Sequence, residues 1–530
     1  MARPASSTAD VVFHNGALWP GIDGRPDHSA LAVAGNRIVA VGSDDDVLNL
    51  KGPDTRVVNL GGQMLLPGFV DAHAHVWKIG HLLTTLLDVR GAESLTDLEL
   101  RLRAKGATLP PGAWLYGRGY NEARFAEGRG PSRRDLDAAG SDRPIVLMRT
   151  CAHIVVCNSR ALAVAGITAA TDAPPGGEIE RDQGGEPTGV LRETAMGLVL
   201  RHLPQPTPAE HEAMITAALR HQVTQGITST NDAGVGPELA DTYRRLDADQ
   251  RLLARVNVMA LGMIDGGSAL PLPSARYVSD RLRIDTIKFF ADGGLSGATA
   301  ALTRSYRHAD TTGVLRLDFD EFLTLAQRAH DAGWRLATHA IGDRAIEQVL
   351  RVYEALGTGA VRHRIEHLGL PTADHLRRAA RAGVIAAPQA IFVSELGVNF
   401  RRYLPDAFFA QVYPIRAMLD AGLTVALSSD APVVQNDSPL AGIQAALLRR
   451  DGEGQPVAPL EAITLDEALD GYTRAGAVAS GDANERGCLS AGMLADFAVL
   501  SRDIRTMPPE ALTTVTVTQT WIDGVQVHAT

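Results

Sequence analysis

The stretch Leu66-Pro-Gly-Phe-Val-Asp-Ala-His-Ala-His75 decides the architecture. It is a short apolar run that ends abruptly in two histidines separated by one residue. Side chains alternate faces along a strand, so His73 and His75 point the same way and Ala74 opposite. Working outward, similar runs recur near Gly226–Asp232, Arg255–Leu261, Ile284–Asp292, Arg335–Ala340, His363–Leu368, Gly383–Pro388 and Leu423–Asp430. Helical stretches separate them, the pattern of a parallel βα repeat. Eight such strands are the count of an α/β chain folded as a (β/α)8 TIM barrel.

Both chain ends have a different texture. Val11–Gly16, Ser29–Gly35, Arg37–Gly42 and Arg56–Leu60 read as short strands between turns, as do Asp496–Leu500, Val515–Ile522 and Val525–Val527. They predict one small β-sandwich built from residues 1–65 and 481–530, with the barrel over 66–480. A further strand-like piece, Ile145–Arg149, falls between the first and second barrel strands and is assigned to an inserted subdomain of about 77–219.

Composition sets the outer limits. The chain has 530 residues, 45% hydrophobic and 21% charged, with 51 Lys and Arg against 61 Asp and Glu for a net charge of −10. That balance argues against a nucleic-acid partner, which would require clustered basic residues. No run of about 18 apolar residues is present, so no membrane span is expected. Three cysteines cannot build a disulfide framework, and the N-terminus has no apolar signal core. A cytoplasmic protein is the expectation.

The chemistry-bearing residues sit at strand ends. His73 and His75 together can grip one metal ion, and neutral imidazole is a good Zn²⁺ ligand. Lys288, in Ile284-Asp-Thr-Ile-Lys-Phe-Phe-Ala-Asp292, shares a face with Thr286 and Phe290 and is expected to point into the barrel. Burial disfavours its charged form, and a neutral amine adds CO₂ to become a carbamate, an anionic ligand able to bridge two metals. His339, His367 and Asp430 each close a later strand, at the end where barrel enzymes carry their chemistry. His363 shares the parity of His367, so it is the competing candidate, and it is given a role behind the ligands or a structural one; by the same parity Glu366 is expected to point outward.

These segments, with His339-Ala-Ile-Gly-Asp343, His363-Arg-Ile-Glu-His367, Ser429-Asp-Ala-Pro432, Gly184–Val190 and Gly492–Phe497, resemble the amidohydrolase superfamily over essentially the whole chain. Within it they are similar to the YtcJ-like group that includes N-substituted formamide deformylases. The resemblance implies that His73, His75 and Asp430 hold one divalent ion, that His339 and His367 hold a second, and that carboxylated Lys288 bridges both. It also implies a homodimer. Leu368-Gly369 departs from the group, where many relatives carry a small residue and Gln, and this affects pocket shape more than metal binding.

Two divalent ions, most simply Zn²⁺, lower the pKa of a bridging water and supply hydroxide near neutral pH. The expected reaction is attack of that hydroxide on an amide carbonyl of an N-formyl or N-acyl amine with an apolar part. Asp430 is expected to carry the proton to the leaving amine. The insertion is expected to roof the mouth, with His153 as a second catalytic candidate holding the substrate carbonyl. Arg118, Asn121 and Trp77 are weaker pocket candidates, and Cys151 reads as a small packed residue. Ester or lactone hydrolysis and N-heterocycle deamination are the alternatives. The bridging lysine counts against a one-metal deaminase, and the intact ligand set counts against a non-catalytic scaffold.

Overall fold

The computed structural model describes residues 8–24, 27–122, 125–150, 154–174, 177–263, 269–307, 310–357 and 361–530. The chain divides into two compact units, one running to Trp77 and resuming at Ala218, the other spanning Lys78–Ala217.

The first unit is built on a curled parallel sheet. Its strands are β1 (Phe69–Ala74), β2 (Ile227–Val235), β3 (Arg255–Leu261), β4 (Leu282–Phe290), β5 (Arg335–Ala340), β6 (Arg364–His367), β7 (Ile385–Ala387) and β8 (Thr424–Val425). They lie side by side in chain order and every neighbouring pair is parallel. Just past β8 the chain meets β1. The Ala72 N–H reaches the Leu427 carbonyl at 3.4 Å, Asp430 N–H donates to His73 O at 2.8 Å, and His75 N–H donates to Ala431 O at 2.8 Å.

Alternation sorts the two faces. On β4, Ile287 and Phe289 are buried, and Phe289 packs edge-on against Phe322 of the helix Phe319–Asp331. Lys288 lies between them in sequence and faces the other way. Helices return the chain between strands and start on side-chain caps: Asp318 accepts the N–H groups of Asp320 and Glu321, and Thr372 accepts that of His375.

The first strand is shorter than its apolar run suggests. Met64–Pro67 pairs antiparallel with Phe497–Leu500 in a different sheet, and β1 begins only at Phe69. The switch falls at Gly68, where a Cβ would lie 2.2 Å from the Thr228 side chain. Only glycine lets the chain pass from one sheet to the other so close to β2.

Two further sheets use both chain ends. One joins Ala9–His14, Ala30–Ala34, Arg37–Gly42 and Lys51–Asn59; the other joins Ala17–Leu18, Met64–Pro67, Phe497–Leu500, Val517–Ile522 and Val525–Ala529. They share one apolar core, centred on Phe13, Leu31, Leu65, Phe497 and Trp521. The Phe13 ring stands edge-on to Phe497 at 5.1 Å and to Trp521 at 5.0 Å, a favourable aromatic geometry.

The second unit carries a six-stranded sheet of its own. Ile145–Arg149 lies within it, parallel to Leu115–Tyr120 and antiparallel to Ile154–Cys157. Among the described residues, no helix is long and apolar enough to cross a membrane.

Candidate metal centre

β1 delivers His73 and His75 to the carboxyl end of the parallel sheet, and the loop after β8 delivers Asp430 opposite them. His73 Nε2 lies 3.5 Å from Asp430 Oδ1, and His75 Nε2 lies 3.2 Å from the same oxygen. Ligand atoms of these three residues all lie within 4.8 Å of one another.

The other ring nitrogens fix the tautomers. His73 Nδ1 meets Glu366 Oε2 at 2.5 Å, and His75 Nδ1 meets the Ala233 carbonyl at 2.8 Å. Both partners are acceptors, so Nδ1 carries the proton in each ring and a neutral imidazole presents its lone pair at Nε2. Burial lowers the His73 pKa, with Lys288 pushing the same way against the opposing pull of Glu366. Imidazole lone pairs therefore converge on an anionic oxygen in a buried site. That donor set fits a divalent cation, and a neutral pair of rings would otherwise repel the carboxylate.

β5 and β6 bring a second pair of imidazoles. The rings of His339 and His367 stand 4.4 Å apart, and that of His367 is 5.0 Å from His73. His367 Nδ1 donates to Gln389 Oε1 at 2.6 Å, while Gln389 is fixed by donating to the Ala387 carbonyl and Ser428 Oγ. That leaves His367 Nε2 as the ligand atom. His339 is turned the other way: its Nε2 donates to the Gly293 carbonyl at 3.1 Å, which leaves Nδ1. Burial above all holds the His367 pKa well below its ordinary value.

Lys288 is fully buried on the same side of the sheet, its Nζ 5.0 Å from the centre of the Phe290 ring. The Phe290 ring in turn stands 5.7 Å from that of His339, on the neighbouring strand.

Glu366 corrects the reading of β6. It does not point outward: it is fully buried on the inner face and holds His73. Arg364, two residues back on that face, clamps it with Nε to Oε1 at 2.8 Å and Nη2 to Oε2 at 2.9 Å. The parity count fails because it ran backward from His367, whose φ is +70°, with Leu368 at +46°. Alternation ends where the backbone turns left-handed, so His367 and Glu366 reach the same site. His363 accordingly faces the helices, 3.0 Å from His330 and accepting the Leu336 N–H at 3.2 Å.

Arg364 and Gln389 were not among the residues singled out from sequence, and Glu366 was given no part in the site. Arg-x-Glu on one face of a buried strand was the available signal, since two such charges must answer each other. His153 and Cys151 lie outside the described residues. Arg118 and Asn121 belong to the second unit, and Trp77 closes the first segment of the first unit.

Comparison with known proteins agrees with this geometry. The sequence profile of the amidohydrolase family matches residues 56–528. The YtcJ protein of Bacillus subtilis (strain 168) is 31% identical over 98% of this chain and 99% of its own. An N-substituted formamide deformylase of Arthrobacter pascens is 31% identical over 94% of each chain. A solved structure, an uncharacterized metal-dependent hydrolase from Pyrococcus horikoshii OT3, shares the fold with a TM-score of 0.78 at 24% identity, covering 94% of this chain and 99% of that one. The chain belongs to the amidohydrolase family and is an enzyme acting on carbon–nitrogen bonds other than peptide bonds.

Proposed function

We propose that this protein is a binuclear metal-dependent amide hydrolase whose substrates are N-formyl or N-acyl amines with an apolar part. The observation that carries the reading is the convergence of His73 Nε2 and His75 Nε2 on Asp430 Oδ1, with both Nδ1 atoms committed to acceptors. Identity to the formamide deformylase supports the choice of bond.

In this reading His73, His75 and Asp430 hold one divalent ion, His339 Nδ1 and His367 Nε2 hold the other, and Lys288 bridges them as a carbamate. Carbamate formation joins the neutral Lys288 amine to CO₂ with release of one proton. When bound, the ions, most simply Zn²⁺, supply a Lewis acid and a low-pKa water. Glu366 orients the His73 ring and raises its basicity, and Gln389 does the same for His367. Asp430 keeps one carboxylate oxygen toward the histidines, and the other is left to take a proton and hand it to the leaving amine. His153 is retained as a candidate for holding the substrate carbonyl.

The eight parallel strands are read as a closed (β/α)8 barrel, since the bonds from 72–75 to 427–431 link its first and last members. The terminal sheets are read as a β-sandwich from residues 1–65 and 481–530, with an insertion at about 77–219. A cytoplasmic homodimer acting on a small molecule completes the proposal.

The test is a screen of the zinc-loaded enzyme against formamides, acyl amides, lactones and aryl esters. Formamide or acyl amide turnover abolished by a chelator is expected. Hydrolysis confined to esters or lactones would overturn the amide assignment.

A further inference from the structure

A cavity of about 270 Å³ lies at the opposite end of the parallel sheet from the histidines. Ser229 near the start of β2, Asn257 near the start of β3 and Arg283 near the start of β4 line it, with Arg37, Asp482 and Arg486 from the flanking segments. Asn257 and Arg283 are register neighbours across β3 and β4.

Most guanidinium groups at this end are answered. Arg255 is held by Asp496 and Asp523, and Arg37 by Glu485 and the Gly492 carbonyl. Arg283 and Arg486 instead share Asp482: Arg283 Nη2 reaches Oδ1 at 2.6 Å and Arg486 Nη2 reaches Oδ2 at 2.7 Å. Arg283 Nη1 has Asp285 as well, at 3.1 Å. Arg486 is only 3% exposed, yet among the described residues its Nε and Nη1 have no hydrogen-bond partner, and neither has Arg283 Nε. Ser229 Oγ and Asn257 Oδ1, both buried, likewise have no partner among the described residues.

Leaving a buried polar atom unsatisfied is destabilising, and more so when the group is charged. Five such atoms belong to four residues that line one cavity, and together they describe the complement of a ligand. Three are cationic N–H donors, which select an oxyanion and favour short charge-assisted bonds. The hydroxyl of Ser229 donates or accepts, and Asn257 Oδ1 calls for a donor on the ligand. A hydrogenphosphate group meets both demands, since it carries several acceptor oxygens and one O–H.

We infer that this cavity is a binding site for a hydrogenphosphate group, free or as the head of a phosphate monoester, remote from the metal centre. The group would bind the native fold alone and stabilise it by mass action.

The test titrates inorganic phosphate and, separately, a simple alkyl phosphate into the metal-loaded protein in a non-coordinating buffer, with sodium chloride at matched ionic strength as the reference. Binding is followed by calorimetry and thermal unfolding. Saturable binding of either phosphate, with a rise in melting temperature beyond the chloride reference, is expected. Arg486→Lys keeps a charge for Asp482 but removes the guanidinium edge, and Ser229→Ala removes one hydroxyl and leaves the ion pairs intact. Each is expected to weaken binding at least tenfold. A response no larger than that to chloride would overturn the inference, the cavity then holding water. Wild-type phosphate binding by both variants would overturn it too, since the anion would then act elsewhere, including at the metals.

Discussion

Glu366→Gln removes one charge from the most buried part of the centre and changes almost no volume. Three donors converge on the carboxylate: Arg364 Nε on Oε1, and Arg364 Nη2 and His73 Nδ1 on Oε2. A carboxamide has one oxygen, so its NH₂ must face at least one of these donors whichever way it is turned. Arg364 keeps its bonds to the Asn231 side chain and to the Ala72 and Ala479 carbonyls. Those partners are neutral, and the guanidinium is left uncompensated at full burial. Breaking one side of a buried pair costs about 3–5 kcal/mol. Loss of an outer partner of a ligating histidine lowers metal affinity roughly 10–100-fold. Urea unfolding of the metal-free protein measures the first effect, and zinc competition against a buffered chelator measures the second. Should the variant not fold, Glu366→Asp serves, with a shortened reach to His73 and the charge kept. Wild-type metal affinity together with an unchanged urea midpoint would refute the assigned role of Glu366.

Three further outcomes follow from the packing. Burial, reinforced by His330 and Arg335, lowers the His363 pKa from its ordinary 6.5 to about 4. The folded state therefore binds this proton less readily than the unfolded chain. The stability His363 contributes is complete above pH 6.5 and lost as pH falls toward 4, by at most ~3 kcal/mol. Urea midpoints between pH 7 and 4 should fall less steeply in His363→Asn than in the parent. Phe13→Ala, which empties the centre of the ring cluster with Phe497 and Trp521, should cost about 3–5 kcal/mol by denaturant titration. Cys157 is buried and its thiol pKa is pushed far up by desolvation. Alkylation mapped by mass spectrometry should find it unmodified in the native protein and modified only after unfolding.

The eight parallel strands were legible because each is a short apolar run separated from the next by a helical stretch, and β3 and β5 matched to the residue. Two details were hidden for local reasons. The apolar run from Met64 through Ala72 is continuous in character, and only Pro67-Gly68 marks the passage between sheets. The inward turn of Glu366 was lost because alternation was counted through His367, where the backbone becomes left-handed. Asp430, at φ +56°, is turned by the same device. Gln389 had no reading at all: its value lies in the bond to His367, across 22 residues of sequence. Strand patterning thus locates the residues at the mouth, while the atoms that set their tautomers come from other strands and from the loops that follow them.

Metal stoichiometry is the most direct measurement of the central claim. Elemental analysis of the purified enzyme, reconstituted with zinc and bicarbonate, should give two ions per chain, with one of them lost or weakly held in Lys288→Met. Fewer than two ions in the parent, or amide turnover that persists after complete chelation, would contradict it.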